Sequence, residues 1–232
     1  MKNILTLPQL EIYPAHIQRE ILFVAGGRRP DEKYFVELSR GREIFAVDKG
    51  IEICRDLNIL PKILIGDFDS AENSAVDWAI ENNVPIKRHP VDKDFTDTQL
   101  ALNLVEKNYS LLPTPYSLIV TGIFGGRFDH LFSNIFTCAA SKVKTCLADE
   151  HEIIFFVHGG EIINVKFFIR PKNLSLLPIT EICEGVTLNN VHWQLDSATL
   201  KQNFPNAVSN RVESDEIKIS LDKGTLAIYF SF

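Results

Sequence analysis

Six short β-branched or aromatic runs, EILFVAGG, REIFAV, KILIGDFD, VPIKRHP, YSLIVTGI and KTCLAD, lie between Glu20 and about Asp149. Every gap between them carries apolar residues at helical spacing: Tyr34, Phe35 and Leu38; Ile51, Cys54 and Leu57; Val76 and Ile80; Leu100 and Leu104; Leu131, Ile135 and Cys138. A strand rejoining its sheet in parallel needs a crossover, usually a helix, so this alternation restricts the segment to stacked β-α units. The expected architecture is a doubly wound, mostly parallel α/β domain.

After about Asp149 the helical period ends. The runs EIIFFV, INVKFFI, LSLLPI, VTLNNVHWQL, EIKISL and GTLAIYF follow one another with Gly, Asn, Pro or Asp between them, which predicts an all-β second domain. The expected division is therefore residues 1–149 and 150–232. A hydrophobic content of 45% excludes a disordered chain, and 232 residues suffice for two compact units. Lys+Arg 24 against Asp+Glu 30 leaves a formal charge of -6, so no global basic field gathers nucleic acid. Pro8, Glu11 and Pro14 interrupt the start before an apolar signal core forms, and no uncharged apolar run reaches ~20 residues. Cys54, Cys138, Cys146 and Cys183 lack CxxC pairing. A soluble, unsecreted chain in a reducing cytoplasm, with no membrane or nucleic-acid partner, is the expectation.

The chemistry gathers where expected strands end. In Ile65-Gly66-Asp67-Phe68-Asp69-Ser70, residues i and i+2 of an extended chain project to one side, so Asp67 and Asp69 would present paired carboxylates. Such a pair repels itself unless a cation lies between, and hard oxygen ligands suit Mg²⁺ bridging phosphate oxygens. A plainer role is also open, because Asp69 or Ser70 can cap a helix starting near Glu72. Asp92, Lys93 and Asp94 form a second acidic tip in which Lys93 can meet phosphate. Beside them Thr96 and Gln99 fit a capping box that places Asp97 on the first turn of the next helix, where the dipole alone could account for its charge.

A third group, Thr121 to His130, joins Gly125 and Gly126 to Arg127 and Asp129. Adjacent glycines let backbone N–H groups approach an anion, and arginine grips phosphate oxygens in a fork. A tight turn followed by an Asp129 cap is the alternative. Neither GxxxxGK[ST] nor GxGxxG occurs here. Gly26 and Gly27, and Asp48 with Lys49 and Gly50, close two further strands. Five strand ends converging on acidic, glycine and basic residues predict a metal-nucleotide site across the top of the sheet.

The ordered set AVDKG, IGDFDS, DKDFTDTQLAL and TGIFGGRFDH, spanning Asp48 to His130, resembles the thiamin pyrophosphokinases, with a looser match at Val191-His192-Trp193 and Ser209-Asn210. The resemblance implies transfer of a diphosphate from ATP to the thiamin hydroxyl, giving thiamin diphosphate and AMP. It also implies an α/β domain plus a C-terminal β-sandwich, in a homodimer whose thiamin site lies between subunits. Carried over by motif, Asp67, Asp69 and Asp97 would hold Mg²⁺, with Asp48 an essential acid nearby. Gly26, Gly27, Lys93, Thr96, Gly125, Gly126 and Arg127 would line ATP. Asp129, Trp193, Ser209 and Asn210 would bind thiamin. Arg211, after Asn210, departs from the neutral or acidic residue that resemblance leads one to expect.

Three other readings stay open at the level of sequence. The same machinery could serve another alcohol, such as a hydroxymethylpterin. A nucleotide- or thiamin-sensing module would bind without turnover. Asp67-Phe68-Asp69 also resembles the DxD of aspartyl-phosphate phosphatases, although Asp69-Ser70-Ala71 does not continue that motif. The six histidines are scattered and read as structural or surface residues.

Overall fold

The structure, a computed structural model, describes residues 4–15, 19–90, 92, 94–109 and 116–232. The chain forms two compact units. One spans Arg19–Lys144; the other spans Thr145–Phe232 and includes the N-terminal strands β1 (Leu5–Thr6) and β2 (Leu10–Tyr13).

The first unit is the α/β one. Its strands are β3 (Arg19–Val24), β4 (Glu43–Val47), β5 (Ile63–Gly66), β6 (Ile86–Arg88) and β7 (Tyr116–Thr121), in the parallel order β7-β3-β4-β5-β6. Helices α1 (Glu32–Ser39), α2 (Ile51–Asp56), α3 (Asn73–Glu81) and α4 (Asp97–Tyr109) make the crossovers, and α5 (Phe128–Ala140) follows β7. The chain steps outward from β3 to β6 and then returns to place β7 on the other side of β3. That reversal makes a topological switch point at the carboxyl ends of β3 and β7, where open α/β sheets bind ligands.

The helices form for local reasons and bury their apolar faces. Asp31 caps α1 by accepting from the N–H groups of Lys33 and Tyr34 (2.9 and 3.1 Å), and Tyr34, Phe35 and Leu38 pack inward as the spacing predicts. Two faces differ from expectation. In α3 the inward residues are Ala75, Val76 and Ala79, whereas Ile80 is exposed. In α4 they are Ala101, Leu102 and Val105 in place of Leu100 and Leu104. Alanines do not stand out in an apolar pattern, yet they let a helix approach a sheet closely.

The second unit contains β8 (Lys144–Ala148), β9 (Glu152–His158), β10 (Glu161–Phe167), β11 (Asn173–Pro178), β12 (Ile182–Asn189), β13 (Leu195–Lys201), β14 (Glu216–Leu221) and β15 (Thr225–Ser231). It is a β-sandwich. One sheet runs β1-β2-β10-β14-β12-β13, and the order β11-β15-β9-β8 makes the other face. Phe167 meets Phe230 edge-on between the faces, with ring centroids 5.3 Å apart.

The boundaries differ from the expected 1–149 and 150–232. The N-terminal strands belong to the sandwich, because β2 pairs antiparallel with β10 (Leu10↔Phe167, Ile12↔Val165) and buries Leu10 and Ile12. β8, expected as the sixth strand of the α/β sheet, pairs antiparallel with β9. The fully buried Asp149 closes that hairpin, its Oδ1 accepting from the N–H groups of His151 and Glu152 (2.8 Å each). The expected continuous run VTLNNVHWQL is broken after β12 by Asn190, which adopts φ 65°.

Candidate active site

Three carboxylates meet at the rim of the parallel sheet. Asp48 follows β4, Asp67 follows β5 and Asp97 opens α4, and one carboxylate oxygen from each lies within 4.8 Å of the others. Asp97 arrives there through the expected capping box: Gln99 N–H donates to Thr96 Oγ1 (3.2 Å) while Gln99 Oε1 accepts from Thr96 N–H (2.9 Å). Gly66 is required by close approach, since a Cβ there would lie 2.0 Å from Asp48 Oδ1.

Asp69 lies outside this trio. The expectation of paired Asp67 and Asp69 assumed an extended chain, but Phe68 turns left-handed at φ 69° and buries its ring. Asp69 is left exposed, its N–H donating to Asp67 Oδ1 (3.1 Å). Phe68 N–H donates to Asp48 Oδ1 (3.2 Å), which ties the turn to the second carboxylate. Neither Asp69 nor Ser70 is the cap residue of α3; Glu72 occupies that position. Asp92 and Asp94 are exposed and also lie outside the trio, while Lys93 lies outside the described residues.

Uncompensated charge is evident at Asp48. Burial first, then the Asp97 charge and a hydrogen bond shared with Asp97, push its carboxyl up from 3.8 to about 7. Asp48 also holds φ 48°, a left-handed conformation that its short polar side chain tolerates. A hard divalent cation fits this donor set, because three converging carboxylates supply both the oxygens and the charge it needs.

The shift has a consequence for stability. With its folded pKa above its unfolded value, Asp48 holds a proton more tightly in the folded protein. Its contribution is therefore present below about pH 4 and is lost as pH rises through about 7. In chelator at pH 8, Asp48→Asn is expected to raise the thermal midpoint by several degrees, corresponding to roughly 1–3 kcal/mol, and to gain less from added Mg²⁺ than the parent is expected to gain. Thermal unfolding with EDTA and with Mg²⁺ checks this; a lower midpoint for the variant in EDTA contradicts it.

The switch point lies on the same rim. Beyond the strands the ladder continues through Ala25 N–H to Thr121 O (2.9 Å), Gly27 N–H to Gly122 O (2.6 Å) and Arg28 N–H to Phe124 O (2.5 Å). Gly125 and Gly126 then turn left-handed in succession (φ 67° and 74°) at the exposed start of α5, a conformation that side-chain-bearing residues rarely adopt. Arg127 grips Asp129 through both Nε and Nη2 (3.1 and 2.5 Å), and that contact holds the Asp129 carboxyl below its ordinary range. Asp129 therefore serves Arg127 rather than capping α5, whose cap residue is Arg127 itself. Gly26 and Gly27, with Lys49, line a small recess of about 30 Å³ beside this ladder.

Trp193, Ser209 and Asn210 lie together in the sandwich. Asn210 is buried; its Oδ1 accepts from Trp193 N–H (3.0 Å) and its Nδ2 donates to the Trp193 carbonyl (2.8 Å). Ser209, at φ 58°, is fixed by its N–H bond to Ser175 Oγ (3.0 Å). Beside them a cavity of about 300 Å³ is lined by Leu176, Trp193, Leu195, Leu200, Val208 and Asn210 among others. Its apolar walls with a few placed polar groups match a site for a small, flat ligand.

Sequence reasoning missed Arg88, whose guanidinium lies 4.9 Å from the Phe68 ring at the end of β6. The signal was its place in VPIKRHP, at the carboxyl end of an expected strand. It also ranked Asp48 below Asp69, because the carboxylate after a strand gives no hint that the following turn will fold it inward.

A parallel sheet whose rim carries an acidic trio and a glycine-arginine turn, and a sandwich that holds a pocket lined by Trp193, are the features of an enzyme with candidate ligand sites in each unit. Comparison with known proteins specifies it. Residues 37–147 match the model of the thiamin pyrophosphokinase catalytic domain, and residues 162–226 that of the thiamin pyrophosphokinase vitamin B1 binding domain. The chain is 28% identical over 184 residues to the thiamine pyrophosphokinase of Bacillus subtilis, covering 78% of this chain and 83% of that protein. It is 25% identical over 167 residues to thiamine pyrophosphokinase 1 of Oryza sativa subsp. japonica, covering 70% of this chain and 63% of that one. Its fold matches the crystal structures of the Bacillus subtilis enzyme (TM-score 0.79, 23% identity, 92% and 99% of the two chains) and of yeast thiamin pyrophosphokinase (TM-score 0.74, 18% identity, 94% and 88%). The chain belongs to the thiamin pyrophosphokinase family.

Proposed function

We propose that this chain transfers the terminal diphosphate of ATP to the hydroxyethyl oxygen of thiamin, releasing AMP. The observation that carries the reading is the convergence of Asp48, Asp67 and Asp97 on the rim that also bears Gly125, Gly126 and Arg127. The alcohol oxygen forms a bond to the β-phosphorus of ATP as the bond from that phosphorus to the α,β-bridging oxygen breaks; AMP leaves with that oxygen, and the alcohol's proton is released to solvent. Positioning and charge neutralisation supply most of the catalysis in such transfers, and no residue need act as a nucleophile.

Asp48, Asp67 and Asp97 hold Mg²⁺ in this reading, with Asp69 adding charge at the mouth of the site. Once bound, the cation neutralises charge that builds on the transferring phosphates. Arg127 releases Asp129 to take phosphate oxygens in the same forked geometry, and the backbone of Gly125 and Gly126 approaches them closely. Gly26, Gly27, Lys93 and Thr96 complete the ATP side by resemblance. Thiamin occupies the Trp193 pocket, where its permanent thiazolium charge is attracted to the indole face by ~0.5–2 kcal/mol. Ser209, Asn210 and the Asp129 carboxylate belong to the thiamin side. A homodimer with thiamin between subunits follows from the resemblance, and a cytoplasmic location from the cysteine pattern and the interrupted start of the sequence. Among the described residues no helix is long and apolar enough to cross a membrane.

Trp193→Ala is expected to raise the KM for thiamin by about tenfold while the KM for ATP changes less than about twofold. Equal rises in both would remove Trp193 from the thiamin site. The reaction itself is tested by AMP formation from ATP and Mg²⁺ with and without thiamin. Thiamin-dependent AMP with an equal yield of thiamin diphosphate is expected, and ADP as the nucleotide product would overturn diphosphate transfer.

A further inference from the structure

The indole ring assigned to thiamin already has a cation against it. Arg211 Cζ lies 5.7 Å from the centre of the Trp193 ring, within the range at which guanidinium groups and ligand cations are drawn to indole. The arrangement is built into the backbone. Asn210 Oδ1 accepts from the N–H groups of both Trp193 (3.0 Å) and Arg211 (2.8 Å), so one buried side chain fixes the backbone of both residues. His192 packs against the same ring in a T-shaped arrangement, centroids 4.6 Å apart, and is held by Glu213 (Nδ1 to Oε1, 2.9 Å). Among the residues lining the adjoining cavity none is acidic. A cationic ring entering there has the Trp193 ring to stack on, and Arg211 beside that ring puts a like charge near it.

We propose that Arg211 is a displaceable competitor for the Trp193 face and thereby sets the affinity of the pocket for a cationic ring. Stacking of the thiazolium requires the guanidinium to move aside, and two like charges within a few ångströms of each other oppose binding. This inference rests on the Trp193 pocket being the thiamin site. Arg211 is exposed, and its backbone N–H bond to Asn210 survives substitution, so Arg211→Gln leaves the local scaffold intact.

The test is calorimetric titration of the full chain with thiamin and, in parallel, with its uncharged tetrahydro derivative. Arg211→Gln is expected to tighten thiamin binding about fivefold and to change binding of the neutral derivative by less than about twofold, because like-charge repulsion acts only on the cation. Arg211→Lys, which keeps the charge, is expected to bind thiamin within about twofold of the parent. Unchanged or weaker thiamin binding by Arg211→Gln, an equal gain for both ligands, or an equal gain in Arg211→Lys would overturn the proposal. Absence of thiamin binding by parent and variants alike would instead overturn the assignment of the pocket, and this proposal with it.

Discussion

Asp67→Asn and Asp97→Asn are each expected to lower kcat by about three orders of magnitude while the protein remains folded, because each removes a preorganised charge from the point where phosphate charge develops. Both residues belong to the trio that converges within 4.8 Å, and asparagine keeps the shape while giving up the charge. Folding is expected to be unharmed, since the substitution relieves repulsion at Asp48, whose carboxyl is already pushed up to about 7. Asp69→Asn, at an exposed position outside the trio, is expected to cost on the order of 10²-fold. The comparison requires kcat at saturating substrates, with thermal unfolding as a control for folding. Turnover of Asp67→Asn and Asp97→Asn within tenfold of the parent would remove the trio from the mechanism.

Arg127→Gln is expected to reduce kcat/KM for ATP by about 10²-fold, corresponding to roughly 2.7 kcal/mol. The planar fork of Arg127 is already presented at the start of α5, where it engages both oxygens of Asp129. A phosphate can replace that carboxylate with the same geometry, and the helix N-terminus adds a favourable field. Lysine is a poorer substitute because it lacks the fork, so Arg127→Lys should recover less than a tenth of the lost activity. Steady-state kinetics with ATP varied at saturating thiamin reads this directly. A variant that loses only thiamin affinity would place Arg127 on the other substrate.

Strand-level organisation was legible because it is written in large apolar residues. All six runs before Asp149 became β3 to β8, and the capping box at Thr96 and Gln99 delivered Asp97 to the first turn of α4. What failed depended on partners distant in sequence. β1 and β2 carry too few residues to show a period, and only pairing with β10 reveals that they complete the sandwich. β13, Leu195–Lys201, buries little beyond Leu200 and so has no alternation to read. β8 reads like any buried strand, and its antiparallel pairing is decided by the Asp149 turn that follows.

The site was legible in its residue types and less so in its geometry. Strand-end aspartates pointed to the rim where three carboxylates converge, yet which of them meet was decided by one left-handed residue, Phe68, and by the close approach of Asp48 to Gly66. The pairing of Arg127 with Asp129 was equally hidden, because residues two apart can grip each other only once the start of α5 has bent the chain between them. Arg211 could be named from sequence as unusual beside Asn210, but its place over Trp193 required the fold.

The most direct test of the account is the fate of phosphorus in a single reaction. ATP labelled at its β-phosphorus is supplied with Mg²⁺ and thiamin, and the products are resolved. The account predicts the label in thiamin diphosphate, one equivalent of unlabelled AMP, and no product without thiamin. Label recovered in ADP, or AMP formed at the same rate without thiamin, would contradict it.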